Sequence, residues 1–320
     1  MSNIKKLINI SQTTFNLQEQ IDWYTTNLGF SCISETRIDG SWLGELIGIP
    51  GAIINKASLK IGEELLELWE FEQVPTQKND KIEPVPIPED SQSNDLWFQH
   101  ICIVVSNLNE AFNKGASNAT QISRSLVTLP ESNKEAANIE AVKIKDSLGH
   151  PLELLKFPKD KGDQRWHEPN SKLFMGIDHT AIGVSDTQKS INFYSELLGL
   201  KIVGNGLNTG KEQDDLDGLI NTKVVITSLR PSDNGMGIEF LDYQLPNRIR
   251  RERLNPRATD LNEWRIMLLV EDIKSTHNKL SSIWPANSMG PIISIPSSLW
   301  GGTLAFQVRD PDGHALILLN

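Results

Sequence analysis

With 320 residues, the chain is long enough for two ordinary domains, each able to bury its own core. A formal charge of -10 and a pI near 5.2 argue against a sequence-independent grip on phosphate backbones, which rests on clustered Lys and Arg, so nucleic acid is not an expected partner. No apolar run is long enough to cross a bilayer, the N-terminus lacks the apolar core of a signal peptide, and Cys32 and Cys102 are too few for a disulfide framework; the expectation is a cytoplasmic protein with free thiols and no membrane partner.

In chain order the sequence divides into four units of one pattern. The first, about 4–72, holds a helix-like stretch at 21–30 (IDWYTTNLGF) and closes on an apolar strand at 65–69 (LLELW) that carries a single acid, Glu67. The second, about 96–157, opens on the strand 98–105 (FQHICIVV) with His100 and closes through 146–154 (DSLGHPLEL) with Glu153. In the third, about 174–243, Ile177 to Val184 alternates as a strand does, and Ser185 or Asp186 is placed to cap a following helix. The apolar residues of that helix, Ile191, Tyr194, Leu197 and Leu198, recur at helical spacing until Gly199 ends it. This unit carries His179 in its opening strand and Glu239 in its closing strand, 237–241 (GIEFL). The fourth, about 262–320, opens on 263–270 (EWRIMLLV) with Arg265 and closes through 310–318 (DPDGHALIL) with Ile317.

The stretch 21–30 matches 191–200 (INFYSELLGL) aromatic to aromatic and Leu-Gly to Leu-Gly, and the same offset places His179 on Asn9. The two Asp-x-x-Gly-His turns match each other, with Gly supplying the left-handed residue between two strands. Glu67 therefore corresponds to Glu239, His100 to Arg265 and Glu153 to Ile317. Segments of linker composition separate the units: 73–94, 158–172, and 244–260 with Arg248, Arg250, Arg251 and Arg253, read most simply as a solvated linker.

The run of strand, helix, Leu-Gly stop and new strand at 176–200 resembles the opening of a βαβββ module of the vicinal oxygen chelate superfamily. That superfamily includes glyoxalase I, extradiol dioxygenases and bleomycin- and fosfomycin-resistance proteins. The resemblance implies an α+β fold of four βαβββ modules, with curved sheets that pair into two open, barrel-like cavities. In chain order the halves are 1–158 and 173–320, each a pair of modules. Paired modules in this family contribute residues of their first and last strands to one divalent ion. Such N/O ligands suit Zn, Ni, Mn, Co or Fe(II).

Which modules share a cavity decides the site. Pairing the second with the third gives His100, Glu153, His179 and Glu239, a two-His, two-Glu set resembling bacterial-type glyoxalase I. It leaves Asn9, Glu67, Arg265 and Ile317 together in a dead site, with Arg265 as the cation that a buried Glu67 needs. Pairing in chain order would instead offer Asn9 and Glu67 beside His100 and Glu153. The first pairing is preferred because it strands no good ligand. A single His on an apolar strand is more often a hydrogen-bonded core residue than a ligand; two at equivalent repeat positions, each matched by a strand Glu, change that reading. His150 and His314 recur in the turns and read as structural, His167 and His277 as surface residues.

The resemblance implies a lyase or isomerase acting on a small substrate with vicinal oxygens, through a metal-stabilised enediolate and a ligand Glu, either Glu153 or Glu239, as base. An Fe(II) ring-cleaving dioxygenase is the alternative, although Arg265 and Ile317 stand where the extradiol pattern needs ligands. A metal-free small-molecule binding or resistance protein is the second alternative. A monomer would complete its own cavities, and a homodimer is equally compatible with the sequence.

Overall fold

The computed structural model describes residues 4–72, 84–115, 119–169, 172–244, 251–252 and 256–320. Arg248, Arg250 and Arg253 lie outside the described residues. The first module comprises β1 (Ile4–Thr14), α1 (Leu17–Leu28), β2 (Ser31–Ile38), α2 (Ser41–Ile47), β3 (Ile54–Ile61) and β4 (Glu64–Phe71). The second comprises β5 (Gln99–Val105), α3 (Leu108–Gly115), two short strands β6 (Thr120–Gln121) and β7 (Val127–Thr128), then β8 (Glu140–Lys145) and β9 (Pro151–Lys156). The third comprises β10 (Phe174–Gly183), α4 (Thr187–Ile191), β11 (Lys201–Thr209), α5 (Lys211–Asp217), β12 (Lys223–Arg230) and β13 (Gly237–Tyr243). The fourth comprises β14 (Trp264–Val270), α6 (Ile273–Ser281), β15 (Ile293–Ser294), α7 (Ser297–Trp300), β16 (Leu304–Arg309) and β17 (Ala315–Leu319).

Local chemistry sets these boundaries. The Asn16 and Asp186 side chains accept the backbone N–H groups of Glu19 and Lys189, which caps α1 and α4. Gly29 ends α1 at φ 70, and after α4 widens into a looser turn over Asn192–Leu197, Gly199 ends it at φ 85. Gly149 and Gly313 take φ 93 and φ 90 in the two Asp-x-x-Gly-His turns, where a side chain would be strained.

The modules pair first with fourth and second with third. One sheet has the order β15-β16-β17-β14-β1-β4-β3-β2, the other β11-β12-β13-β10-β5-β9-β8-β6. In each, the two first strands meet antiparallel at the centre, β1 on β14 and β10 on β5. The registers match: Asn9 lies opposite Met267 as His179 lies opposite Cys102, and Ser11 opposite Arg265 as Ala181 opposite His100. Both opening strands also shift register at the same place, between Leu7 and Asn9 and between Ile177 and His179.

Between the sheets and the helices runs one apolar core that takes Ile10 and Leu66 from the first sheet, Ile101, Ile103 and Ile177 from the second, and Tyr24 and Tyr194 from the helices. Each such side chain contributes about 1.5–3 kcal/mol on burial. Because strand neighbours alternate in direction, burying Ile101 and Ile103 in this core turns His100 and Cys102 to the opposite face.

Candidate metal centre

On the open face of the second sheet, His100 from β5, Glu153 from β9, His179 from β10 and Glu239 from β13 converge. His100 Nε2 lies 3.3 Å from Glu153 Oε2, and His179 Nε2 lies 4.0 Å from that same oxygen and 3.3 Å from Glu239 Oε2. His100, Glu153 and His179 form the tighter group, each offering a ligand atom within 4.8 Å of the others'. Glu239 touches His179 from the cavity side and is the more exposed carboxylate, its side chain 23% accessible against 8% for Glu153.

The donors fit a cation. Among the described residues, the buried Nε2 atoms of His100 and His179 lie near carboxylate oxygens without forming a hydrogen bond, and His100 Nδ1 has no hydrogen-bond partner either. An unsatisfied buried polar atom costs about 1–3 kcal/mol, which a shared ion would offset. The carboxylates would supply the compensating negative charge.

Electrostatics differ around the two imidazoles. Burial pushes His100 below its ordinary value despite Glu153. Burial also pulls on His179, but Glu239 and Asp178 outweigh it and raise the group. Burial alone would raise Glu153; His100, Lys143 and His179 draw it down instead, to about 2.

Asp178 fixes the orientation of His179. Its Oδ2 lies 2.9 Å from His179 Nδ1 and accepts from Arg230 Nη2 at 2.6 Å, while its Oδ1 accepts from Trp166 Nε1 at 3.3 Å. With Nδ1–H donated to a carboxylate, the lone pair is on Nε2, which faces Glu153 and Glu239. Burial works against the charged form of Asp178, but His179 and Arg230 hold it well below the usual carboxylate range. Adjacent strand residues ordinarily face opposite sides, so a strict alternation places Asp178 away from the site; the register shift after Ile177 brings it round. Ser228, cross-strand from Glu239, donates its hydroxyl to Oε1 at 2.5 Å.

Asn9 and Glu67 remain in the first sheet. Asn9 is buried on β1, and its Oδ1 has no hydrogen-bond partner among the described residues. The expectation that Arg265 supplies the cation for Glu67 is corrected. Lys56 from β3 does so, with Nζ 2.6 Å from Glu67 Oε1, and the indole N–H groups of Trp69 and Trp300 donate to the same carboxylate at 3.0 and 3.2 Å. Lys56 and Glu67 reach each other because Ser58, two residues on, is Glu67's cross-strand partner. The Arg265 guanidinium bonds Thr13 Oγ1 and the Ala258 carbonyl and stacks on Trp69 at 4.5 Å.

The remaining histidines are structural. His150 is held between Asp146 Oδ2 and the Leu261 carbonyl, and His314 Nε2 lies 2.8 Å from the Gly183 carbonyl. His167 and His277, read as surface residues, are half-buried and bonded to the carbonyls of Lys161 and Gly290. Arg251 is pinned rather than solvated, paired with Asp95 at 2.6 Å and Asp90 at 2.9 Å.

The four side chains open into a cavity of about 380 Å³. Its floor is the sheet; its far wall comes from the segment between β7 and β8 and from α5. Among the described residues no helix is long and apolar enough to cross a membrane.

The chain matches the family model of the Glyoxalase/Bleomycin resistance protein/Dioxygenase superfamily over residues 6–154 and 176–318. Glyoxalase I from Zea mays shares the fold at 14% identity, with a TM-score of 0.59, over 100% of this chain and 92% of that one. A protein from Bacillus subtilis described as a candidate dioxygenase shares it at 12% identity, with a TM-score of 0.56, over 100% of this chain and 86% of that one. No curated protein matches the chain in sequence. With the family model matched by both halves of the chain, the protein belongs to the Glyoxalase/Bleomycin resistance protein/Dioxygenase superfamily.

Proposed function

We propose that the protein is a metal-dependent lyase or isomerase acting on a small molecule with two neighbouring oxygens. The observation that carries this reading is the convergence of two imidazoles and two carboxylates on an open cavity, with the Nε2 atom of each imidazole facing the carboxylates and making no hydrogen bond among the described residues. His100, Glu153, His179 and Glu239 would hold the ion, and their N/O donors suit Zn, Ni, Mn, Co or Fe(II). When bound, the ion supplies Lewis acidity toward the substrate's oxygens.

Of the two acids, Glu239 is the better base. Glu153 is enclosed by His100, His179 and the cross-strand Lys143, which stabilise its charge and keep it from taking a proton. Glu239 faces the cavity, with Ser228 holding one oxygen in place. It is positioned to remove a proton from a carbon beside the bound oxygens and return it to the neighbouring one.

Metal-loaded protein is expected to exchange the α-hydrogens of 2-hydroxyacetophenone with solvent deuterium. Glu239→Gln, whose amide oxygen can still coordinate the ion, is expected to keep it bound and slow exchange by about a hundredfold or more, the contribution of a positioned base. Undiminished exchange in that variant would sink the assignment. A second reading is favoured by the composition of the tighter group, two imidazoles and one carboxylate, which is that of Fe(II) oxygenase sites. Oxygen uptake by the Fe(II)-loaded protein with catechols would favour it over the first. Failure to bind any divalent ion would leave a metal-free binding protein.

A further inference from the structure

We infer that the cavity selects substrates whose pair of neighbouring oxygens is joined to an uncharged, apolar group, and that it rejects tails carrying carboxylates. This rests on the metal-dependent reading above and concerns the part of the substrate remote from the reacting atoms.

Two of the cavity's three cations are already paired with acids. Apart from the imidazoles, three cationic side chains among the described residues line it: Lys143, Lys161 and Arg230. Lys143 is buried and paired with Asp217 at 2.6 Å, an acid whose other oxygen accepts from Gln213 at 2.7 Å. Arg230 is taken up by Asp178 and by the carbonyls of Asp178 and Gly235. Lys161 sits at the rim with its ammonium on the Lys134 carbonyl. Four acids, Glu135, Glu153, Asp178 and Glu239, line the same space. With Glu153 and Glu239 on the ion and Asp178 on Arg230, a carboxylate tail would give up its water for, at most, the half-exposed Lys161 ammonium among the described residues, a poorer exchange than burying an apolar group.

Part of the cavity wall is apolar. Leu129, Ala136, Ile139, Ala141, Leu155 and Leu216 line the cavity, and Leu129, Ala141 and Leu216 are buried members of a small apolar cluster that Ala136 and Ile139 pack against. These residues come from both modules. The side-chain amide of Asn133, in the segment between β7 and β8, donates to Asn208 on β11 and ties the wall across the gap. An apolar group is expected to gain free energy against this wall in proportion to the area it removes from water.

The space for that group is made by two glycines on β11. Gly204 lies opposite Ser228 and Gly206 opposite Ile226, and both line the cavity. A Cβ at Gly206 would come no closer than 3.4 Å, to the Cβ of Glu135, and one at Gly204 no closer than 3.7 Å, to Ser228. A larger side chain at 206 therefore has room to start and would extend into the volume that the tail needs.

The test uses the full chain loaded with Zn²⁺ and three chelating hydroxamates differing only in tail: acetohydroxamate, benzohydroxamate and succinic monohydroxamate, with affinities measured by calorimetry. Benzohydroxamate is expected to bind at least about tenfold tighter than acetohydroxamate through its buried ring. The carboxylate-tailed compound is expected to bind no tighter than acetohydroxamate. Gly206→Leu is expected to remove most of the benzohydroxamate advantage and leave acetohydroxamate unchanged, which also shows that the variant is folded and loaded. Tighter binding of the carboxylate-tailed compound, or no benzohydroxamate advantage in the wild type, would overturn the tail selection and leave the metal-dependent reading standing, and an advantage that survives Gly206→Leu would overturn the placement of the tail at the β11 glycines. Absence of binding by all three would overturn both.

Discussion

The two sheets repeat one backbone plan with matching registers, yet one hollow is packed shut and the other is open. In the first, Met267 and Ile317 stand where the second has Cys102 and Glu153, and they pack with Trp69, Trp300 and Leu43 and Leu46 of α2 into an apolar cluster. In the second, the cluster at the equivalent place is smaller and leaves a cavity beside the imidazoles. Both hollows bury carboxylates, and the charge is met differently. Glu67 has an internal cation and two indole N–H donors; Glu153 and Glu239 face imidazoles whose free nitrogens call for an ion from outside. The same fold thus gives a structural ion pair or a candidate metal centre according to a few side chains.

Substitutions on either side of this comparison should separate stability from metal binding. The largest expected effect is in the packed hollow: Glu67→Ala leaves Lys56 buried without its acid and is expected to cost about 3–5 kcal/mol in denaturant unfolding, with metal affinity unchanged. Loss of metal affinity without loss of stability would show that the first hollow binds the ion.

In the open hollow, Asp178→Asn removes the carboxylate behind His179 and is expected to weaken metal affinity about 10–100-fold, the range for losing an outer hydrogen-bond partner. Retention of full affinity would mean that Asp178 supports only Arg230 and Trp166. Acid gives a smaller contrast. Glu153 has a folded value of about 2 against an ordinary 4.5, so its contribution to stability is present above the ordinary value and is lost as pH falls toward the folded one. Unfolding of the metal-free chain is expected to weaken over that window, and Glu153→Gln is expected to flatten the acid limb. An unchanged limb in that variant would assign the loss to other groups.

Much of this comparison is legible in the sequence because the repeat is direct. The match of 21–30 with 191–200 fixes two modules, the paired Asp-x-x-Gly-His turns fix the other two, and the correspondence aligns Asn9 with His179 and Glu67 with Glu239. Module pairing is not local, so the sequence leaves two possibilities, weighed only by which one strands a ligand. Lys56 is missed because a Lys two residues from Ser58 looks like an exposed strand residue; a cue is that it shares a face with Glu67's cross-strand partner. Asp178 is missed because a period of two points it away from His179, and a shift in register leaves no mark on composition. Leu129, Ala136 and Ile139 of the apolar wall lie in the irregular segment between β7 and β8, and the glycines on the edge strand β11, where no periodicity reports which residues meet.

On the proposed reading, His100, Glu153, His179 and Glu239 hold one ion while the equivalent positions in the first sheet hold none. Metal bound per chain, measured by native mass spectrometry and by titration for the wild type, His179→Ala and Asn9→Ala, tests it directly. A single divalent ion is expected in the wild type and in Asn9→Ala, with affinity in His179→Ala reduced by more than about a hundredfold, beyond what losing an outer-shell partner costs. An ion held at full affinity without the His179 imidazole, or lost on removal of Asn9, would contradict the account.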